Sequence, residues 1–287
     1  INELPKIVGF IRQYSKTPIC LDSEGAQIRT SKLSGGIKKL ITNKIIKINK
    51  SNNINDNITL VPKNIFRNLK INDVLSIDFN SVVVKIIKET QRYFECRVIQ
   101  GGTIGSNKSI SVNRDIKIPP FTDKDIKAFS IGEKLKIKNY ALSFTSKASD
   151  VIKLRNLFKN KITITSKIES KKGLRNLQEI LKEADNILID RGDLSKEIPL
   201  HVIPRKQKEI ISEAIKTNTP VYVATNLLES MVTRMEPTRA EVNDVYNTLI
   251  DGATGLVLAA ETAIGKYPKK CIEMIIKVSK TIKHEKK

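Results

Sequence analysis

The chain has 287 residues, 51 Lys and Arg against 30 Asp and Glu, a net charge of +21 and an apolar fraction of 40%. That length holds one large domain plus a smaller one with ample core, and no apolar run approaches the roughly 20 residues needed to span a bilayer. Cys20, Cys96 and Cys271 are scattered without C-x-x-C spacing, and the only histidines are His201 and His284, so a disulfide framework, a zinc site and a Ser-His-Asp triad are all disfavoured.

Residues 4–14 carry helical spacing, and 18–22 then read as a short buried strand ended by Asp22-Ser23-Glu24-Gly25. From Ser31 to about Ile118 the pattern changes to alternation, at 41–48, 74–77, 81–87 and 93–99. Turns fall at Gly35-Gly36 and Gly101-Gly102, residues 51–57 form a polar, Asn-rich loop, and no helix is expected, which predicts a small all-β module inserted between α/β segments. Pro119-Pro120 marks the return, and Thr122-Asp123-Lys124-Asp125 starts a helix. A strand at 141–144 and a helix at 149–158 follow. Strands at 161–165, 186–190, 220–223 and 255–258 then alternate with helices at 174–183, 204–216, 238–250 and 269–283. This alternation indicates a parallel α/β sheet of about six strands, two fewer than a closed (β/α)₈ barrel. The predicted domains are a first barrel segment at 1–30, a β-rich insertion at 31–118 and a second barrel segment at 119–287.

The basic excess is spread along the whole chain, and aromatic residues are 5% with no tryptophan, so specific nucleic-acid binding is not expected. Attraction of small polyanionic substrates is compatible with the same charge. No secretory pattern opens the chain, as in a cytoplasmic protein.

Parallel α/β folds carry their chemistry at the carboxyl ends of their strands. Four such ends are Lys167-Ile168-Glu169, Arg191-Gly192-Asp193, Ala224-Thr225-Asn226 and Ala259-Ala260-Glu261-Thr262. Carboxylates at two neighbouring ends, with a lysine two residues before the first, suit a divalent cation and an anion.

Longer strings resemble the pyruvate kinase family. They are Thr165-Ser166-Lys167-Ile168-Glu169-Ser170, Arg191-Gly192-Asp193-Leu194, Ala224-Thr225-Asn226-Leu227-Leu228-Glu229-Ser230-Met231 and Pro237-Thr238-Arg239-Ala240-Glu241, with Asp251-Gly252-Ala253 and Glu261-Thr262-Ala263 in the same order. Upstream, Leu21-Asp22-Ser23-Glu24-Gly25-Ala26-Gln27-Ile28-Arg29-Thr30 resembles the strand end from which that family's lid departs. The resemblance implies a TIM (β/α)₈-type barrel, incomplete at its N-terminus, with the inserted all-β module as a moving lid. The first two barrel strands and the regulatory C-terminal domain are missing from the pattern, so a fragment of a longer protein is expected.

The implied reaction moves phosphate from phosphoenolpyruvate to ADP, giving pyruvate and ATP in glycolysis. Lys167 would stabilise the transferring phosphoryl and the enolate, Thr225 would sit near the carbon that takes the proton, and Arg29 would contact phosphate. The backbone N–H groups of Gly192 and Asp193 would hold the substrate carboxylate. Glu169 and Asp193 would bind Mg²⁺ or Mn²⁺, and Asp22 and Ser23 would form part of a K⁺ site. A homo-oligomeric parent, a tetramer, goes with the resemblance. Glu24, Gln27, Asp78-Phe79-Asn80, Asp190 and Ala259-Ala260 depart from the family pattern, Asp190 standing where alanine is usual. The alternative is a divergent paralogue that binds a phospho- or keto-acid metabolite, or a partner protein, without this activity.

Overall fold

A computed structural model describes residues 1–51, 58–78 and 80–285. The predicted loop at 51–57 therefore falls, beyond Ser51, outside the described residues, as do Phe79 and the side chain of His284. In chain order the first elements are α1 (Leu4–Tyr14) and β1 (Cys20–Asp22). Next come β2 (Ile28–Thr30), β3 (Ile37–Leu40), β4 (Ile45–Asn49), β5 (Ile58–Val61), β6 (Val74–Ile77), β7 (Val82–Glu89), β8 (Tyr93–Gln100), β9 (Gly102–Gly105) and β10 (Ser109–Val112). The chain continues with α2 (Asp123–Lys134), β11 (Asn139–Leu142), α3 (Ala148–Arg155), β12 (Thr163–Ile168), α4 (Lys171–Arg175), α5 (Leu177–Glu183) and β13 (Asn186–Asp190). It ends with α6 (Arg191–Glu197), α7 (Ile203–Lys216), β14 (Val221–Ala224), α8 (Arg239–Ile250), β15 (Gly255–Val257), α9 (Ala260–Ala263) and α10 (Pro268–Glu285). These residues form two compact units: Ile1–Gly25 with Asp123–Lys287, and Ala26–Thr122.

The inserted unit is a closed β-barrel in the order β10-β2-β5-β4-β8-β7-β6, with β3 and β9 paired beside it. Alternation builds its core: Val82, Val84 and Ile86 of β7 and Phe94, Cys96 and Val98 of β8 are all fully buried. Closure removes the open edges that so small a sheet would otherwise expose. Two details depart from the sequence reading. The run at 41–48 is not one strand, because Asn43 adopts a left-handed conformation and its N–H bonds Val98 O at 2.8 Å, so the chain turns there before β4. A short 3₁₀ helix, Lys63–Arg67, follows Pro62 and seals the barrel with Ile65 and Phe66.

The other unit is a wholly parallel sheet in the order β1-β11-β12-β13-β14-β15. Each strand in the order is a sequence neighbour within this unit, as right-handed strand–helix repeats require. The fold is α/β, with an open six-stranded parallel sheet among the described residues. The helix expected at 174–183 is broken at Asn176. Its side chain donates to Ser146 O at 2.7 Å and its backbone leaves helical geometry (φ −102°, ψ 17°), giving α4 and α5. The start of α4 is capped by Ser170, whose Oγ accepts the Gly173 N–H at 3.1 Å. No helix among the described residues is long and apolar enough to cross a membrane.

Phe94 is fully buried and stacks on Phe66 at 6.2 Å between ring centroids inside the closed barrel. Phe94→Ala is expected to lower the stability of that unit by about 3–5 kcal/mol, read from urea unfolding. A loss below about 1 kcal/mol would show that the barrel core is not packed as described.

Candidate active site

Period-two alternation delivers one row of polar side chains to the carboxyl end of the parallel sheet. Strand β12 buries Ile164, Ser166 and Ile168 on one face and presents Thr163, Thr165 and Lys167 on the other, and Glu169 continues that second row. The register pairs Lys167 with Leu188 and Ile168 with Ile189, so the next step sets Glu169 beside Asp190. On the other side, Asp22 pairs with Ala141, and Ala141 with Thr165. The lysine therefore reaches both flanks.

Lys167 Nζ lies 3.0 Å from Glu169 Oε1, 3.1 Å from Asp22 Oδ2 and 3.7 Å from Asp190 Oδ2. Its side chain is only 11% exposed. Burial alone would lower its pKa, but Glu169, Asp22 and Asp190 together hold it above the ordinary lysine value. Glu169 is fully buried and its Oε2 accepts the Phe144 N–H at 2.5 Å. Oε1 has the Lys167 ammonium as its one polar partner. Burial pushes the Glu169 carboxyl up to about 7; Lys167 opposes that rise, and Asp190 and Asp193 add to it.

Asp193 enters from α6 and is paired with Lys196. Carboxylate oxygens of Glu169, Asp190 and Asp193 all lie within 4.8 Å of one another. In an octahedral Mg²⁺ shell opposite ligands stand about 4.2 Å apart and adjacent ones about 2.9 Å, so these oxygens would draw together to grip a divalent ion. The donor chemistry fits as well: three hard carboxylate oxygens suit Mg²⁺ or Mn²⁺. Counting Asp22, the cluster sets four carboxylates against the ammoniums of Lys167 and Lys196, a formal deficit that a dication would cancel.

Thr225 adjoins this group. Its Oγ1 accepts the Gly192 N–H at 2.8 Å and donates to Ala224 O at 2.6 Å. The Asp193 N–H is taken by Asp190 Oδ1 at 3.3 Å. Both N–H groups expected to receive a substrate carboxylate thus have acceptors within the protein. Thr225, Asn226 and Phe144 are all in the left-handed region, at φ 71°, 52° and 53°. For a β-branched threonine that conformation is strained, and such strain gathers at functional sites. Arg191 braces the loop, donating to Thr225 O through Nε at 3.0 Å and pairing with Asp244 at 2.7 Å.

The structure therefore gathers Lys167, Glu169, Gly192, Asp193 and Thr225. Asp22 shares the cluster through Lys167, and Ser23 is tied to Asp22 by Ser143: the Ser23 Oγ accepts the Ser143 N–H at 2.9 Å, and Ser143 Oγ donates to Asp22 Oδ1 at 2.8 Å. Arg29 belongs to the other unit, where its Nη1 donates to Asn107 O at 3.2 Å. Sequence reading did not foresee the Phe144 N–H, the Arg191–Asp244 brace or the alignment of Asp190 with the other two carboxylates. Only the last had a signal, the Asp-x-x-Asp spacing across a strand end, which suits an N-cap and places both side chains on one turn.

A family model described as the pyruvate kinase barrel domain matches residues 7–272. A pyruvate kinase of Thermotoga maritima is 35% identical over 284 residues, covering 94% of this chain and 60% of the relative. One from Clostridium perfringens is 32% identical over 274 residues, covering 93% and 58%. A crystal structure of a pyruvate kinase from Cryptosporidium parvum superposes with a TM-score of 0.79 at 30% identity, covering 95% of this chain and 58% of that one. The chain thus spans 60% and 58% of the length of the two curated relatives.

The raised carboxyl of Glu169 fixes a pH dependence. Between the ordinary value of 4.5 and about 7, the unfolded chain has lost this proton while the folded chain keeps it. The Glu169 contribution to stability is therefore full below about 4.5, falls as pH rises to about 7, and is flat above. In chelator, the melting temperature of the parent is expected to fall relative to Glu169→Gln across that window. Parallel curves for the two proteins would show that Glu169 is not buried in this way.

Proposed function

This chain belongs to the pyruvate kinase family, and we propose that its parallel unit carries the site where phosphoenolpyruvate gives its phosphoryl group to ADP. The observation that supports this reading best is Lys167, a buried ammonium set among carboxylates at the strand ends. In this reaction the bond between the enol oxygen and phosphorus breaks, a bond from phosphorus to the terminal ADP oxygen forms, and the resulting enolate takes a proton at carbon. Negative charge is spread over the transferring group and the enolate, so preorganised positive charge supplies most of the catalysis.

Lys167 offers its ammonium to the phosphoryl oxygens and to the developing enolate. Glu169 and Asp193 would hold Mg²⁺ or Mn²⁺, which when bound neutralises phosphate and enolate oxygens. The Gly192 and Asp193 N–H groups would orient the substrate carboxylate once it displaces Thr225 Oγ1 and Asp190 Oδ1. By family resemblance the Thr225 hydroxyl would stand near the enolate carbon, and its proton would become available once it leaves Ala224 O. Arg29 is assigned a phosphate contact, and Asp22 with Ser23 a share in a K⁺ site, by family resemblance. The same resemblance supports a TIM-type barrel, of which the open sheet is a part, the β-barrel unit as its lid, a cytoplasmic location and a tetrameric parent.

The test is pyruvate formation from phosphoenolpyruvate and ADP, with Mg²⁺ and with K⁺ present and absent. Lys167→Met is expected to lower kcat about 10²–10³-fold without weakening divalent-ion binding. Glu169→Gln is expected to weaken that binding, with excess Mg²⁺ restoring part of the turnover. A folded, Mg²⁺-loaded protein that transfers phosphate to no nucleoside diphosphate would overturn the reading.

A further inference from the structure

We propose that Asp190 is a third protein ligand of the divalent cation, a role that neither the family resemblance nor the spacing of Lys167, Glu169 and Asp193 assigns to it. The inference rests on the reading that Glu169 and Asp193 hold such an ion, and concerns what this chain adds to it.

Three observations carry it. The register of β12 against β13 puts Asp190 next to Glu169 on the same face, at the level where the strands end. Its carboxylate, 13% exposed, comes within 4.8 Å of the oxygens of both Glu169 and Asp193. Finally, Asp190 is weakly engaged by the protein itself, since Oδ1 receives the Asp193 N–H at 3.3 Å and Oδ2 stands 3.7 Å from Lys167 Nζ. Neither is the short, charge-assisted bond that a mostly buried carboxylate normally accepts. Beside it, the fully buried Glu169 Oε1 has only the Lys167 ammonium as a polar partner, at 3.0 Å. A weakly engaged carboxylate beside two others, with oxygens of all three within 4.8 Å of one another, gives a dication a third protein oxygen here.

A third ligand changes the chemistry of the site. Mg²⁺ in phosphoryl-transfer sites is usually held by one or two carboxylates, the substrate and water completing the octahedron. With three carboxylates, this chain holds its ion more firmly before any substrate arrives and leaves three positions, rather than four, for substrate oxygens and water. Asp190 is then a specificity-determining residue for the cation and for how many oxygens a substrate can present to it.

The experiment measures Mn²⁺ binding to the intact chain without nucleotide or phosphoenolpyruvate, by electron paramagnetic resonance. Water-proton relaxation counts the exchangeable waters left on the bound ion. Asp190→Asn keeps an N-cap for α6, and Asp190→Ala removes the ligand entirely. Both are expected to weaken Mn²⁺ binding about tenfold or more, and Asp190→Ala to admit one additional water. Weaker binding with an unchanged water count would overturn the proposal, since Asp190 would then act as a remote charge. Unchanged or tighter binding would overturn it too, leaving Asp190 a partner of Lys167 alone. Glu169→Gln and Asp193→Asn run alongside. If they weaken Mn²⁺ binding and the Asp190 variants do not, only this inference fails. If none of the four matters, the metal-site reading fails with it.

Discussion

A single buried ammonium organises the strand ends of the parallel unit. Lys167 loses most of its hydration, and taking any one charge out of water costs several kcal/mol even after relaxation. One carboxylate at hydrogen-bond distance roughly offsets that cost; the carboxylates, brought this close together, would in turn repel one another without the lysine. Lysine and carboxylates therefore stabilise one another, and the set forms only if β1, β12 and β13 hold their register to within a residue. A slip by one residue would turn Lys167 into the apolar layer of Ile164, Ser166 and Ile168.

The backbone around the cluster shows what holding that register requires. Gly25 is left-handed at φ +71°, and a Cβ there would stand 2.3 Å from Ser143 O, so only glycine lets the chain turn away after Asp22 and Ser23. Phe144 and Thr225, which cannot relax as glycine does, occupy the same region and are fixed from outside. The Phe144 N–H bonds Glu169, and Arg191 clamps the Thr225 carbonyl while leaning on Asp244. Charge on the side chains thus holds strain in the main chain, so the two stand or fall together.

This division explains what could be read from sequence. The strand ends were legible because apolar runs followed by charged or small residues repeat along the second half of the chain, and Asn186–Asp190 and Leu4–Tyr14 lie where periodicity placed them. Lys167, Glu169, Asp193 and Thr225 were legible as candidates because chemistry-bearing residue types stood at those ends. What stayed hidden depends on partners distant in sequence. The break at Asn176 is made by Ser146. The turn at Asn43 is made by Val98, and β4 and β5 pair in parallel inside a barrel otherwise antiparallel. Asp190 read as an added charge; that it aligns with Glu169 is a property of sheet register, which no local pattern states.

Charge also links the whole chain to its site. The surplus of +21 draws small polyanions toward the surface, yet at the strand ends an arriving anion meets four carboxylates and two ammoniums. At these separations, in surroundings less polar than water, that imbalance repels it. The carboxylates that make Lys167 tolerable in the interior also offset its attraction for an anion. A dication held by Glu169 and its neighbours would reverse the local sign without displacing the lysine. On the proposed metal-site reading, a cation bound before an anion would follow from how the fold keeps one buried ammonium charged.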